Sequence, residues 1–177
     1  IVTLVELGEY GCTDTASSLV NVFPKPEASF LASQDSSCTY PVLVDFINTS
    51  TGAQAYNWNL GNGQTSASTH ESANYAGPGA YIIELIASNQ YGCSDTTTYT
   101  FNVYQSPTAF FDFGPYQGCA PLTIQFDNLS LLGTNFYWDF GDGTFSNEQE
   151  PVHIYSTSGL FSPSLIVTGV GGCTDTL

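Results

Sequence analysis

The chain has 177 residues, with sixteen acidic side chains against a single basic one, Lys25, for a net charge of −15. Phosphate backbones and anionic bilayers are held by basic side chains, so nucleic acid and acidic lipid are poor partners for this chain. Hydrophobic residues make up 42% and aromatics 14%, the composition of a packed core and not of a disordered acidic tail, and no apolar run approaches the roughly 20 residues of a membrane-spanning helix.

In chain order, Ile1 to Leu7 and then Ala16 to Val22 read as strands, and residues 1–23 as the last two strands of a preceding repeat. Phe23-Pro24-Lys25-Pro26 is a junction, stiffened by its two prolines. Residues 27–105 form a complete repeat built on period-two alternation. Ala28, Phe30 and Ala32 share one face of a first strand, Val42, Val44 and Phe46 of a second, and Tyr56, Trp58 and Leu60 of a third. Tyr81, Ile83, Leu85 and Ala87 follow, then Thr97, Tyr99, Phe101 and Val103, with turn clusters such as Gly61-Asn62-Gly63 between. After the short junction Gln105-Ser106-Pro107, residues 107–177 restore the same faces through Ala109, Phe111 and Phe113; Leu122, Ile124 and Phe126; Phe136, Trp138 and Phe140; and Phe161, Leu165 and Val167. This last repeat stops where its final strand is due. No stretch has a 3.6-residue apolar period, so the expected fold is an all-β sandwich.

The motif Trp58-Asn59-Leu60-Gly61-Asn62-Gly63 recurs as Trp138-Asp139-Phe140-Gly141-Asp142-Gly143. Phe46 and Phe126 keep the same spacing as the two tryptophans, and so do Gly92-Cys93-Ser94-Asp95-Thr96 and Gly172-Cys173-Thr174-Asp175-Thr176; a third copy is Gly11-Cys12-Thr13-Asp14-Thr15. The repeat divides the chain into small tandem domains. The order Cys119-Ala120-Pro121-Leu122-Thr123, Phe126-x-Asn128-x-Ser130, Trp138-Asp139-Phe140-Gly141-Asp142-Gly143, Pro151-x-His153-x-Tyr155 and Gly159-x-Phe161 resembles that of the PKD domain. Such domains are immunoglobulin-like sandwiches found in tandem in secreted and cell-surface proteins. The resemblance covers nearly the whole chain, although the first repeat carries Asn59 and Asn62 where the second has Asp139 and Asp142. The added Gly-Cys-x-Asp-Thr element is similar to PKD arrays in large adhesins of gliding or biofilm-forming Bacteroidota. It implies export to the cell surface and a place in a stalk or filament.

Asp139 and Asp142 are candidate calcium ligands on charge alone, and calcium is the one cofactor the sequence leaves open. The amides at Asn59 and Asn62 favour a different role shared by Asn and Asp, capping a tight turn with a side-chain oxygen. Trp58, Trp138, Phe46 and Phe126 fall on inward faces and are expected in the cores. His70 and His153 are not at equivalent positions and have no neighbours at zinc spacing. No Gly-x-Ser-x-Gly elbow offers a nucleophile, so no catalytic residue is assigned.

Five cysteines at repeated positions point to disulfides and an oxidising compartment. In the immunoglobulin-like strand order, Cys38 lies at the end where the chain leaves its repeat and Cys93 at the end where it enters. Strands of about eight residues separate those ends by roughly 25 Å, whereas a disulfide needs Cα atoms within about 7 Å. The expected pairing is therefore Cys38–Cys173, between modules, with Cys12, Cys93 and Cys119 pairing outside these residues; pairing within each repeat and free thiols are the alternatives. Thr15, Thr96 and Thr176 follow Asp in a pattern that resembles an O-glycosylation sequon of exported Bacteroidota proteins, against a plain Asp-Thr turn opening a strand.

The expected function is a non-catalytic extracellular spacer in a cell-surface adhesin or filament. Its partners would be neighbouring repeats and other copies in a fibre, with glycans or other cells engaged elsewhere in the protein. The alternative is an accessory binding module of a secreted polysaccharide- or protein-degrading enzyme, which predicts exposed coplanar aromatics, with Tyr75, Tyr91, Tyr104 and Tyr116 as candidates.

Overall fold

Alternating apolar side chains become strands wherever a partner edge is in reach. The computed structural model, which describes residues 1–177, holds seventeen strands and one 3-10 turn, Val170–Gly172. The first two strands, β1 (Val2–Leu7) and β2 (Thr13–Ser18), form an antiparallel hairpin with Val2 opposite Ser18. Both are exposed along their whole length. The strand expected to reach Val22 stops at Ser18, opposite Val2.

The first module is a two-sheet sandwich. β3 (Phe30–Ala32), β5 (Val42–Asn48) and β8 (Glu71–Tyr75) make one sheet in that spatial order. The other is ordered β4 (Ser36–Ser37), β10 (Ser94–Val103), β9 (Gly79–Ser88), β6 (Ala55–Asn59) and β7 (Thr65–Ser66). Every pairing is antiparallel except β4 with β10, where Val103 lies beside Ser37. The inner faces meet in one cluster around Phe46, Trp58, Tyr75, Leu85 and Phe101.

The second module repeats this plan. β11 (Phe111–Gly114), β12 (Leu122–Asn128) and β15 (Val152–Tyr155) form one sheet; β14 (Phe145–Ser146), β13 (Gly133–Asp139), β16 (Ser164–Gly169) and β17 (Thr174–Thr176) form the other. Its core gathers Ile124, Phe126, Trp138, Phe140, Tyr155 and Leu165. Trp58, Trp138, Phe46 and Phe126 are all fully buried. Each indole keeps its one polar atom satisfied, since Trp58 Nε1 donates to the Ser68 carbonyl at 3.0 Å and Trp138 Nε1 to the Glu148 carbonyl at 2.9 Å. A buried indole without that acceptor would give back part of what burying the ring contributes.

Three elements differ from the sequence reading. β8 and β15 are strands that the alternation does not reveal. Phe161 lies outside β16, since β17 is too short to pair with residues 159–163. Tyr75, a candidate for an exposed binding face, is fully buried and donates its hydroxyl to the Leu60 carbonyl at 2.9 Å.

Candidate functional site at the module junction

The two acidic turn residues are occupied within their own loop. Asp139 Oδ1 accepts the Gly141 amide at 2.8 Å. Asp142 Oδ1 accepts the Thr144 amide at 3.0 Å and its hydroxyl at 2.6 Å, and Oδ2 lies 2.8 Å from His153 Nε2. Burial alone would raise the Asp142 carboxyl, but the hydrogen bonds from Thr144 and His153 outweigh it and hold it below the usual range. Asn59 accepts the Gly61 amide and Asn62 the Gln64 amide at the matching positions. The geometry is that of a side-chain-capped turn in both modules. No group of three or more His, Cys, Asp or Glu side chains is placed to hold a metal ion.

Junction residues are docked, not free. Phe23 stacks on Tyr91 with ring centroids 4.0 Å apart and planes 3° from parallel. Asn89 Nδ2 donates to the Pro24 carbonyl at 2.8 Å, and Lys25 pairs with Asp95. At the second junction Tyr104 takes the position of Phe23, but the residue facing it is Gly171, where the first module has Tyr91. A Cβ added at Gly171 would lie 2.2 Å from the Tyr104 ring, so the tyrosine rests directly on backbone. Pro107 is buried, and a Cβ added at Gly169 would come within 3.2 Å of it.

In the two later Gly-Cys-x-Asp-Thr elements the Asp clamps the start of its own module. Asp95 Oδ2 accepts the Ala28 amide at 2.8 Å, and Asp175 Oδ2 the Ala109 amide at 2.7 Å. That amide first and Lys25 second hold the Asp95 carboxyl below its ordinary range. Thr15, Thr96 and Thr176, the modification candidates, are exposed on strands β2, β10 and β17.

Across the second junction Cys38 and Cys173 are joined, with Cα atoms 5.5 Å apart and a sequence separation of 135 residues. Cys38 lies between β4 and β5 at the exit end of the first module, and Cys173 lies between β16 and β17 at the entry end of the second. Ser106 in the linker donates its hydroxyl to the Cys38 carbonyl at 3.1 Å. Cys12 and Cys119 are exposed thiols, and Cys93 is a half-buried one.

The remaining tyrosine candidates form no common plane. Tyr91 is covered on one face by Phe23, Tyr104 packs on Gly171, and Tyr116 bonds to Asp112 Oδ1 at 2.7 Å. A further exposed aromatic pair lies on the outer face of β13 and β14: Tyr137 and Phe145 stack with centroids 5.6 Å apart and planes within 22°. Sequence reasoning missed it, since the first module has Asn57 and Thr65 there. A comparison of outward positions between the repeats would have found it.

A family model described as PKD domain matches residues 21–103 and again residues 106–177. The chain belongs to the PKD domain family. Among curated proteins, collagenase ColA of Bacillus cereus is 37% identical over 59 residues, 30% of this chain. Collagenase ColQ1 of the same species is 39% identical over 59 residues. The chain covers 6% of each of those proteins. Among solved structures, the PKD1 domain of Vibrio anguillarum Epp is 29% identical, covering 46% of this chain and 96% of that domain with a TM-score of 0.40. The PKD1 domain from Vibrio cholerae metalloprotease PrtV is 30% identical, covering 45% and 98% with a TM-score of 0.39. The strands and the two PKD matches together make the fold all-β, with tandem immunoglobulin-like PKD sandwiches. No helix is long and apolar enough to cross a membrane.

Proposed function

We propose that these PKD modules are a non-catalytic stalk segment of a large secreted cell-surface protein, an adhesin or filament, and that their work is to hold length under tension. The observation that carries this reading is the Cys38–Cys173 bond, which ties the exit end of one module to the entry end of the next. A loop of that size contributes about 5 kcal/mol in the chain-entropy description. It also short-circuits the chain, because force applied at the ends bypasses the segment it encloses. That loop is longer than one repeat, since it contains both Trp58 and Trp138 with chain to spare on either side. If Cys12, Cys93 and Cys119 pair in the same way with repeats outside these residues, successive loops overlap and every module lies inside one. The docked junctions limit bending, and the acidic surface keeps neighbouring rods apart.

The test is small-angle X-ray scattering of the whole chain with and without reductant. A spacer stapled across its junction keeps one maximum dimension when oxidised and a broader distance distribution when reduced. Indistinguishable profiles contradict the reading.

A second reading, a module that binds polysaccharide for a secreted enzyme, draws on the exposed Tyr137–Phe145 pair, whose outer ring face is free to stack on a sugar although the two rings stack on each other instead of lying coplanar. It predicts retention on a glycan array that Tyr137→Ala abolishes. Absence of binding by the unmodified protein leaves the spacer reading alone.

A further inference from the structure

The two modules share the plan of their cores and differ along one sheet edge. In the first, Ala55, Asn57, Thr65, Ala67 and Thr69 are the exposed residues of β6, β7 and the chain that follows them. The second has Asn135, Tyr137, Phe145, Asn147 and Gln149 in the same places, again all exposed. Every one is larger; two are aromatic and three are carboxamides. On the neighbouring strand β16, Ser164 stands where β9 carries Glu84. The fold does not require these changes, because the first module builds its sandwich without them.

Two local features open that edge. β14 pairs with β13 only through Phe145 opposite Asp139 and Ser146 opposite Trp138, and the chain then leaves the strand. Against β16 the register of β13 shifts between Gly133 and Asn135, a bulge that leaves Thr134 and Asn135 both exposed. A cleft of about 350 Å³ results, walled by Thr134, Asn135, Phe136, Asn147 and Gln149, at the lower end of the sizes that hold small ligands. Asn135 and Tyr137 are two residues apart on one strand, so the cleft adjoins the Tyr137–Phe145 stack on the same face, about 7 Å along it. Thr134 donates its hydroxyl to the Thr168 carbonyl at 2.9 Å, and Asn135 Nδ2 donates to Thr134 Oγ1 at 3.4 Å. That leaves the side-chain oxygen of Asn135 to accept from a ligand.

The chemistry of the edge selects its ligand. A sugar ring has an apolar face of C–H groups and a rim of hydroxyls that donate and accept, and an aromatic face beside carboxamides matches both. Charge narrows the class further. The cleft wall holds no ionisable side chain, and the residue opposite Phe145 is the acidic Asp139. The one basic residue, Lys25, is paired with Asp95 in the other module. A uronate or a sulfate would find no cation here, and a chain of net charge −15 repels both.

We propose that the β13–β14 edge of the second module binds an uncharged glycan, with one sugar unit on the outer ring face of the Tyr137–Phe145 pair and the next held by the carboxamides of Asn135, Asn147 and Gln149. The first module, with alanine and threonine at the matching cleft positions, does not bind. The proposal rests on the polysaccharide-binding reading of the aromatic pair; it adds the ligand class and the second half of the site. A module inside a stalk can carry such a site as well as one attached to an enzyme, because the edge lies away from the Cys38–Cys173 junction.

The experiment is NMR titration of the isotope-labelled full chain with neutral oligosaccharides of glucose, mannose and galactose, and separately with oligogalacturonate and heparin fragments. The expected result is saturable shifts of the Asn135, Asn147 and Gln149 side-chain amides and the Tyr137 ring with a neutral sugar, unchanged between low and high salt. Replacement by first-module counterparts keeps the fold, since that module is built with them. Tyr137→Asn should weaken binding about tenfold or more, and Asn147→Ala with Gln149→Thr severalfold. Binding that the double change leaves intact overturns the cleft half and spares the aromatic reading. Binding of the acidic probes in place of the neutral ones overturns the ligand class alone. Shifts along β13 with an extended peptide and with no sugar assign the edge to a protein partner and overturn the proposal. No shift with any probe overturns it together with the polysaccharide reading.

Discussion

At the residue scale, the two modules check each other. Asn59 and Asp139 hold the same amide in the same turn, so charge at that position is dispensable, and Asp139→Asn should leave stability within about 0.5 kcal/mol. The glycine between is not dispensable. Gly141 has φ of 76°, and a Cβ there would lie 2.9 Å from the Ser162 amide nitrogen. Gly143 has φ of 88° but open space around it. Gly141→Ala should therefore destabilise the second module by about 2–4 kcal/mol, against about 1 for Gly143→Ala, as read by urea denaturation. Titration gives a further check. The Asp142 carboxyl is depressed in the folded state, so its contribution is present above the unfolded carboxylate range near pH 4 and is lost as pH falls below it. Burial pushes the Tyr75 and Tyr155 hydroxyls up to about 12. Their contribution is complete below pH 10 and lost as pH rises from 10 towards 12. Thermal melting against pH should show a plateau between those limits that falls on both sides; a melting temperature still climbing above pH 10 would refute the tyrosine assignment.

At the scale of single elements, the Asp of the Gly-Cys-x-Asp-Thr loop decides where each module begins. Asp175→Ala leaves the part-buried Ala109 amide without its acceptor and should cost about 1–2 kcal/mol, observable as faster hydrogen exchange at Ala109. A strand such as β12 is readable in the sequence because large apolar residues alternate with polar ones. β15 is not, because its pattern is inverted: it exposes Val152 and Ile154 while Tyr155 is buried and His153 packs against Phe140. β8 hides for a related reason, since its inward residues are the small Ala73 and the hydroxyl-bearing Tyr75. The junction is half legible. Strand order alone places Cys38 at the exit end of its sandwich and Cys173 at the entry end of the next. That Tyr104 would rest on the backbone of Gly171 requires knowing which two loops face each other, and no periodicity encodes that.

For the whole molecule, the stalk reading makes covalent connectivity, and not chemistry at a site, the source of function. Two sandwiches with separate cores meet through a short junction, one aromatic resting on a glycine, and one disulfide. Most of the chain between its two ends lies within the loop that the disulfide closes. The direct measurement is single-molecule pulling of the protein by its two ends, with and without reductant. Oxidised molecules should never release the enclosed segment, and reduction should add roughly 450–490 Å of contour length. Equal full extension in both conditions would show that tension does not run through the Cys38–Cys173 bond.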